Sequence, residues 1–108
     1  MLQHEAGAIR SIEEMAMQHS DNGKTGAFFK ADASGRRVAE ISYIWNGGEQ
    51  IEANHTWVDD SLRGQGAARE LLDVLAGFAR EKQLKIVPTC TYVEVMFKRD
   101  ESFADVAA

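Results

Sequence analysis

The sequence predicts an α/β (α+β) fold in which an antiparallel meander leads into a β-α-β crossover. Two runs of alternating apolar and polar residues, Arg37 to Trp45 and Glu49 to Val58, flank Asn46-Gly47-Gly48, a strong hairpin signal. The run from Gln65 to Lys82 carries apolar residues at helical spacing. The short apolar run Leu84 to Val87 follows that helix, and a strand–helix–strand order predicts a parallel strand pair with a right-handed crossover.

Two further strands are predicted before the hairpin. A short first strand runs from Ala16 to Ser20, and after a turn the next strand runs from Gly26 to Ala31. Residues 1–14 show no cap and no strong apolar stripe, so they are predicted to be a peripheral extension. Residues 15–108 are predicted to form a single domain, which suits a chain of 108 residues.

Alternation along the strand from Glu49 to Val58 divides its side chains between two faces, because successive residues of a strand point to opposite sides. One face carries Ile51, Ala53, His55 and Trp57, and the other carries Glu52, Asn54, Thr56 and Val58. We expect the face with Ile51 to be turned inward.

The helix from Gln65 to Lys82 presents one apolar stripe with i, i+3, i+4 and i+7 spacing. The stripe consists of Ala68, Leu71, Leu72, Leu75, Phe78 and Ala79. Beyond Pro88, the segment Cys90 to Phe97 is predicted to be a short helix, although its β-branched residues also allow a strand. Asp100 is expected to cap a last helical turn, from Glu101 to Val106.

Composition excludes several classes of function. The formal net charge of −5 argues against nucleic-acid binding, which needs a basic face. No apolar run approaches the roughly 20 residues of a membrane helix, so no membrane partner is expected. The single cysteine, Cys90, excludes an internal disulfide. The first residues resemble no export signal, and we expect a cytoplasmic protein, or one that another kind of signal brings to an organelle lumen. An edge strand of the meander makes an oligomer conceivable, but none is predicted.

The segment from Arg63 to Ala68 is an unusual start for a helix. Helix starts favour Asp or Glu in the first turn, whereas here the first carboxylate is Glu70. Gly64 and Gly66 have no Cβ, so an external group can approach the backbone closely. Exposed amides at the positive end of a helix form an anion pocket suited to a phosphate. A plain glycine-containing connection explains the glycines equally well, and at this point both interpretations stay open.

Three motifs in this order resemble a known family. Arg63-Gly-Gln-Gly-Ala-Ala68 fits the signature [Gln/Arg]-x-x-Gly-x-[Gly/Ala], with Arg63, Gly66 and Ala68 as the matching residues. The strand end His55-Thr-Trp-Val58 precedes it and Pro88-Thr-Cys-Thr-Tyr-Val93 follows it. The chain thus resembles the GCN5-related N-acetyltransferase superfamily, and more closely its short, single-domain YjdJ-type branch. The resemblance covers about Met15 to Asp105.

This resemblance implies a GNAT-like fold and acetyl-coenzyme A as the acyl donor. In that superfamily the turn's amides bind the pyrophosphate of coenzyme A, and the pantetheine arm lies where two parallel strands splay apart. Trp57 and Val58 would pair with the pantetheine arm like a neighbouring strand. The implied coenzyme A-binding residues of the turn are Arg63, Gly64, Gln65, Gly66, Ala67 and Ala68. The implied activity is N-acetylation of an amine, either small or on a protein.

Two residues are candidates for the chemistry. Cys90 lies just past the strand that should line the gap, and transfer of acetyl between two thiols is almost energy-neutral, so an acetyl-Cys90 intermediate is reasonable. A buried inert thiol is the competing interpretation. His55 is expected to face inward as a base or orienting group, or simply as a core residue. His4 and His19 have no partner at metal-ligand spacing, so no metal site is predicted.

The resemblance also has gaps. The chain lacks the helix pair that follows the first strand in larger relatives, which leaves the acceptor cleft undefined. No counterpart of a late-helix tyrosine acid is apparent, and Tyr92 is expected to pack in the core. Direct attack by the amine, a route through Cys90, a non-catalytic coenzyme A-binding module and a ligand-free structural domain therefore all remain open.

Overall fold

The computed structural model describes residues 15–108, so the predicted extension over residues 1–14 lies outside the described residues. Five strands form one sheet in the order β1-β2-β3-β4-β5. The strands are β1 Gln18–Asp21, β2 Thr25–Ala31, β3 Arg37–Trp45, β4 Gln50–Val58 and β5 Lys85–Pro88. The helices are α1 Ala67–Lys82 and α2 Thr91–Arg99. The first three strand pairs are antiparallel and the β4–β5 pair is parallel, which confirms the predicted meander and parallel pair.

Helix α1 covers one face of the sheet with the apolar stripe that the sequence predicts. Leu72, Leu75 and Ala79 are fully buried, and they meet Ile41 and Ile51 from the inner face of β3 and β4. Burial of a leucine side chain of this kind stabilises the fold by about 1.5–3 kcal/mol before entropy is counted. No helix among the described residues is both long enough and apolar enough to span a bilayer.

The C-terminal segment is helical, as predicted, and closes the same side of the core. Helix α2 buries Val93, and the 3-10 turn Glu101–Phe103 begins at Asp100, whose side chain accepts a hydrogen bond from the amide of Ser102 at 2.9 Å. Arg80 of α1 donates to Asp105 Oδ2 at 2.7 Å, which ties the chain end to α1.

A row of three residues crosses β1, β2 and β3 at one end of the sheet. Asp21 stands opposite Gly26, and Gly26 stands opposite Tyr43. The ring of Tyr43 lies directly over Gly26, because a Cβ built on that glycine would be 2.3 Å from the ring. The Tyr43 hydroxyl donates to Asp21 Oδ2 at 2.6 Å and also meets His19 Nε2 at 2.7 Å.

Strand β4 contains a β-bulge that changes which side chains face the core. Ser42 of β3 pairs with His55 and the next residue, Tyr43, pairs with Ala53, so Asn54 is an extra residue in β4. Before the bulge, Ala53 is fully buried, whereas His55 after it is exposed.

The predicted inward orientation of His55 and Trp57 is therefore wrong. One extra residue inverts the alternation, since side chains repeat every two residues along a strand. Thr56 and Val58, which were expected on the outer face, are half-buried on the helix side, where Val58 packs against the core.

The parallel pair separates beyond its first residues. The β4–β5 ladder ends at Ala53 and Pro88, while β4 continues to Val58. The amide of Cys90 donates to the carbonyl of Ala53 at 2.8 Å at the point where the two strands part. Beyond this fork, β4 has β3 on one side and a gap on the other within the described sheet.

Candidate functional site

The loop between β4 and α1 leaves the start of α1 without a side-chain cap. Gly66 is the N-cap residue, its φ is 79°, and as a glycine it supplies no side-chain cap. Gly64 also has a positive φ, of 86°. A Cβ built on either glycine meets no atom within 4 Å, so both glycines border open space. The positive end of the α1 dipole therefore faces a space that an anion can enter.

A groove of about 380 Å³ runs along this loop. Its walls come from the end of β4, the loop, the first turn of α1 and one residue of α2. The lining residues are Thr56, Trp57, Val58, Leu62, Arg63, Gly64, Gly66, Ala67, Ala68, Arg69 and Tyr92. The groove thus joins the uncapped helix start to the unpaired edge of β4.

Two arginines line the groove in different ways. Arg69 is held by Asp73 at 2.9 Å and by Asp100 at 2.8 Å, so its guanidinium is fixed within the fold. Arg63 has a 68% exposed side chain, and within the described part of the chain its one ion pair is with the exposed carboxylate of Asp60, at 3.0 Å. An exposed pair of this kind contributes little free energy, so a phosphate can compete for Arg63.

The groove contains most of the residues predicted to bind the cofactor. Trp57 and Val58 line it, as do Arg63, Gly64, Gly66, Ala67 and Ala68. Gln65 lies in the same loop and is exposed, but it does not line the groove. The sequence reasoning missed Thr56, Leu62, Arg69 and Tyr92.

Tyr92 packs against the core, as expected, but the core does not enclose it. Its side chain is half-buried and lines the groove. Burial raises the pKa of the Tyr92 hydroxyl, so this group stays protonated at neutral pH and is able to donate a proton. Its position two residues after Cys90 was visible in the sequence, but only the three-dimensional arrangement shows which wall of the groove it joins.

Cys90 lies at the fork and is the N-cap residue of α2. Its side chain is half-buried, and the thiol donates to Thr56 Oγ1 at 3.4 Å. Burial acts to raise the pKa of the thiol, but the Thr56 hydroxyl and nearby backbone amides outweigh burial and lower the pKa below its ordinary value. A lower pKa gives more thiolate at neutral pH, and the thiolate is the nucleophilic form.

His55 lies on the outer face of the sheet and is exposed, opposite Ser42. The sheet therefore separates its ring from the side on which Thr56 meets Cys90. Among residues 15–108, no cluster of three His, Cys, Asp or Glu side chains has the arrangement of a metal site.

A groove beside an unpaired strand edge, with an uncapped helix start at one end, fits a protein that binds an extended phosphate-bearing ligand. The family model of the GCN5-related N-acetyl-transferases matches residues 27–106. The chain belongs to this family. Its placement in the short YjdJ-type branch stays a prediction.

Solved structures and curated relatives agree with this family. A GCN5-like protein from Staphylococcus aureus, solved by NMR, is 30% identical, covers 90% of this chain and 91% of its own, and has a TM-score of 0.72. A GNAT family acetyltransferase from Elizabethkingia anophelis, solved with acetyl-CoA bound, shares the fold at 10% identity, with coverage of 81% and 74% and a TM-score of 0.61.

Protein NATD1 of Xenopus tropicalis is 32% identical over 62 residues. The match covers 57% of this chain, and it spans about half of that relative, 57% of its length.

Proposed function

We propose that this protein is an acetyl-coenzyme A-dependent N-acetyltransferase whose acceptor is a small amine or an amine on a protein. The observation that carries the proposal is the uncapped start of α1, where Gly64 and Gly66 face open space at the mouth of the groove. The groove leads from this phosphate-binding end to Thr56, the hydrogen-bond partner of Cys90. A ligand with a diphosphate at one end and a thioester at the other fits that arrangement.

The loop would hold the nucleotide end of coenzyme A. Backbone amides from Gly64 to Ala68 bind the pyrophosphate, and Arg63 exchanges Asp60 for a phosphate oxygen. The free edge of β4 at Trp57 and Val58 pairs with the amides of the pantetheine arm. Gln65, which lies in the loop but outside the groove wall, contributes through its backbone.

Two routes for the acetyl group remain. In the direct route the amine nitrogen attacks the thioester carbonyl, the carbon–sulfur bond breaks, and the coenzyme A thiolate takes a proton from Tyr92 or Cys90. His55 accepts the proton that the amine loses, provided that the acceptor approaches from the outer face of the sheet. Positioning and donors at the oxyanion supply most of the rate acceleration.

In the covalent route Cys90 is the nucleophile. Its thiolate attacks the carbonyl, a new carbon–sulfur bond forms on Cys90, and coenzyme A leaves as a thiolate that is then protonated. The amine next attacks acetyl-Cys90, loses one proton and regenerates the Cys90 thiolate. The lowered pKa of Cys90 supports this route, because it raises the fraction of the attacking thiolate relative to an ordinary cysteine.

Intact-mass measurement after exposure to acetyl-coenzyme A tests the proposal. For the covalent route we expect one acetyl group on the wild-type protein, its loss when an acceptor amine is added, and no adduct on Cys90→Ala. Release of free coenzyme A thiol on addition of amines measures turnover in both proteins and in His55→Gln.

Each outcome selects one interpretation. Equal turnover by Cys90→Ala and wild type would exclude the covalent route, so that only the direct route remained. Coenzyme A binding without transfer to any amine or to Cys90 would favour a non-catalytic binding module. An absence of binding would overturn the proposed function.

A further inference from the structure

The bulge in β4 turns the side chain of Thr56 toward the fork, whereas unbroken alternation would place it on the opposite face of the sheet. Thr56 follows the extra residue Asn54, and its side chain is half-buried on the helix side of the sheet. Its hydroxyl lies 3.4 Å from the Cys90 sulfur, and the same side chain lines the groove. Thr56 is thus the described residue that both lines the groove and hydrogen-bonds to the sulfur through its side chain.

We propose that Thr56 is a positioning residue for Cys90, whose hydroxyl holds the sulfur at the mouth of the fork and donates a hydrogen bond to the thiolate. The inference rests on the proposed function, since it gives the thiol a task in acetyl transfer. It assigns a task to Thr56, which the strand-end motif His55-Thr-Trp-Val58 contains but to which the sequence reasoning gives no role.

The chemistry of a hydroxyl suits this task. A threonine hydroxyl carries one donor and two acceptor positions, and its hydrogen rotates freely. When Cys90 is a thiol, the sulfur donates to Thr56 Oγ1, as the structure shows. When Cys90 is a thiolate, the Thr56 hydrogen turns toward the sulfur. A hydrogen bond to a charged acceptor is stronger than one between neutral groups, so the exchange favours the thiolate.

The backbone around the sulfur acts in the same direction. The amides of Tyr92 and Val93, in the first turn of α2, lower the pKa of Cys90, and so does the amide of Thr56. These amides belong to the main chain and remain when a side chain is replaced. The hydroxyl of Thr56 is therefore the part of this arrangement that a substitution can remove cleanly.

Few charged groups face the sulfur from the surrounding elements. On α2 the neighbour is Tyr92, whose pKa is raised mainly by burial and in small part by the Cys90 charge. From α1, Arg69 and Asp73 act on Tyr92 with opposite signs. On β4, His55 is turned to the outer face, so none of the causes of the Cys90 shift is a charged side chain.

The rate of alkylation by iodoacetamide as a function of pH tests the inference without any turnover. Cys90 is the only cysteine of the chain, so the modification reports one site. We expect Thr56→Val to move the midpoint of the rate profile upward by about one pH unit. Thr56→Ser keeps the hydroxyl and should return the midpoint to the wild-type value.

A matched control lies beside the cysteine. Thr89 also carries a hydroxyl, but that hydroxyl donates to the carbonyl of Ala53 at 3.1 Å rather than to the sulfur. Thr89→Val should therefore leave the midpoint unchanged. Thermal unfolding of each variant shows whether it folds, and Thr56→Ala replaces Thr56→Val if that variant does not.

The two proposals fail in different ways. A midpoint for Thr56→Val or Thr56→Ala equal to that of wild type would overturn the role of Thr56 and leave coenzyme A binding untouched. An equal rise in Thr89→Val would overturn it as well, since a general loosening of the fork would then explain the shift. Failure of coenzyme A to bind would overturn the proposed function while the alkylation profile still measured the Thr56–Cys90 contact.

Discussion

At the scale of single residues, Gly64 and Gly66 meet two demands at one place. Both have a positive φ, which glycine adopts without the strain that a Cβ brings, and both border space that other protein atoms leave open. The first demand is local to the backbone, and it would hold in any protein with this turn. The second demand concerns a ligand, because Gly64 and Gly66 line the groove, whereas Gly47, which also borders open space, does not.

Replacement of Gly66 by alanine separates these two demands. We expect Gly66→Ala to lose about 1 kcal/mol of stability from the strained φ, and to lose coenzyme A affinity by about tenfold or more, because the new Cβ occupies the ligand's space. Urea denaturation measures the stability, and isothermal titration calorimetry measures the affinity.

Gly47 provides the matched control, since its φ is also 79° and a Cβ there meets nothing within 4 Å. It lies in the β3–β4 hairpin, outside the groove lining. Gly47→Ala should show a similar loss of stability with unchanged affinity. Equal affinity for coenzyme A in both variants would contradict a role of the loop in binding.

At the scale of elements, the row from Asp21 through Gly26 to Tyr43 shows how three strands are fastened together. The missing Cβ of Gly26 lets the Tyr43 ring pass over β2, so that its hydroxyl reaches β1. Phe78 of α1 lies against the same ring, with 5.5 Å between centroids. One glycine therefore allows a tyrosine of β3 to contact two other elements.

A methyl group at position 26 should break this arrangement. Gly26→Ala places a Cβ 2.3 Å from a ring that is fully buried, and we expect a loss of about 2–3 kcal/mol of stability. Gly77→Ala is the control, because Gly77 is an exposed position inside α1 whose Cβ meets nothing within 4 Å. That variant should gain about 0.5–1 kcal/mol. Urea denaturation measures the free energy of unfolding of both variants. An unchanged value for Gly26→Ala would show that the Tyr43 ring can move aside.

The bounds of helices and strands and the orientation of their side chains were predicted from the sequence with different success, for physical reasons. The bounds of β3 are confirmed because its alternation is unbroken, and α1 is confirmed because its stripe repeats over several turns. The inward orientation of His55 was wrong because a single extra residue leaves no mark on composition or period. Tyr92 packs against the core as expected, but its exposure in the groove was not predicted, because that groove exists only after β4 and α2 have come together.

At the scale of the whole molecule, both described helices contribute to one apolar core on a single side of the sheet. Strand β3 is paired on both sides and contributes the fully buried Ile41 and Tyr43. Within the sheet of residues 15–108, strand β1 pairs on one side only, and its four residues are all exposed. Local stability should therefore fall from the centre of the sheet toward β1.

Hydrogen exchange measured by mass spectrometry checks this order. Amides of β1 should exchange earliest among the strands and those of β3 latest, since opening β3 requires loss of the whole core. Addition of coenzyme A should slow exchange at Thr56–Val58 and at the Gly-rich loop, while β1 stays unchanged and serves as the internal control. Protection of β1 equal to that of β3 would contradict the order, and ligand protection confined to β1 would contradict the location of the groove.

The single inserted residue in β4 also affects how relatives should be compared with this chain. Before position 54 the odd-numbered residues of β4 face the core, and after it the even-numbered residues do. Suppose that a relative without the bulge is aligned to this chain with no gap. The residue aligned with His55 would then face the core, and the residues on either side of it would face solvent. Transfer of functional residues across such an alignment is therefore sound only where a one-residue gap has been placed at this position.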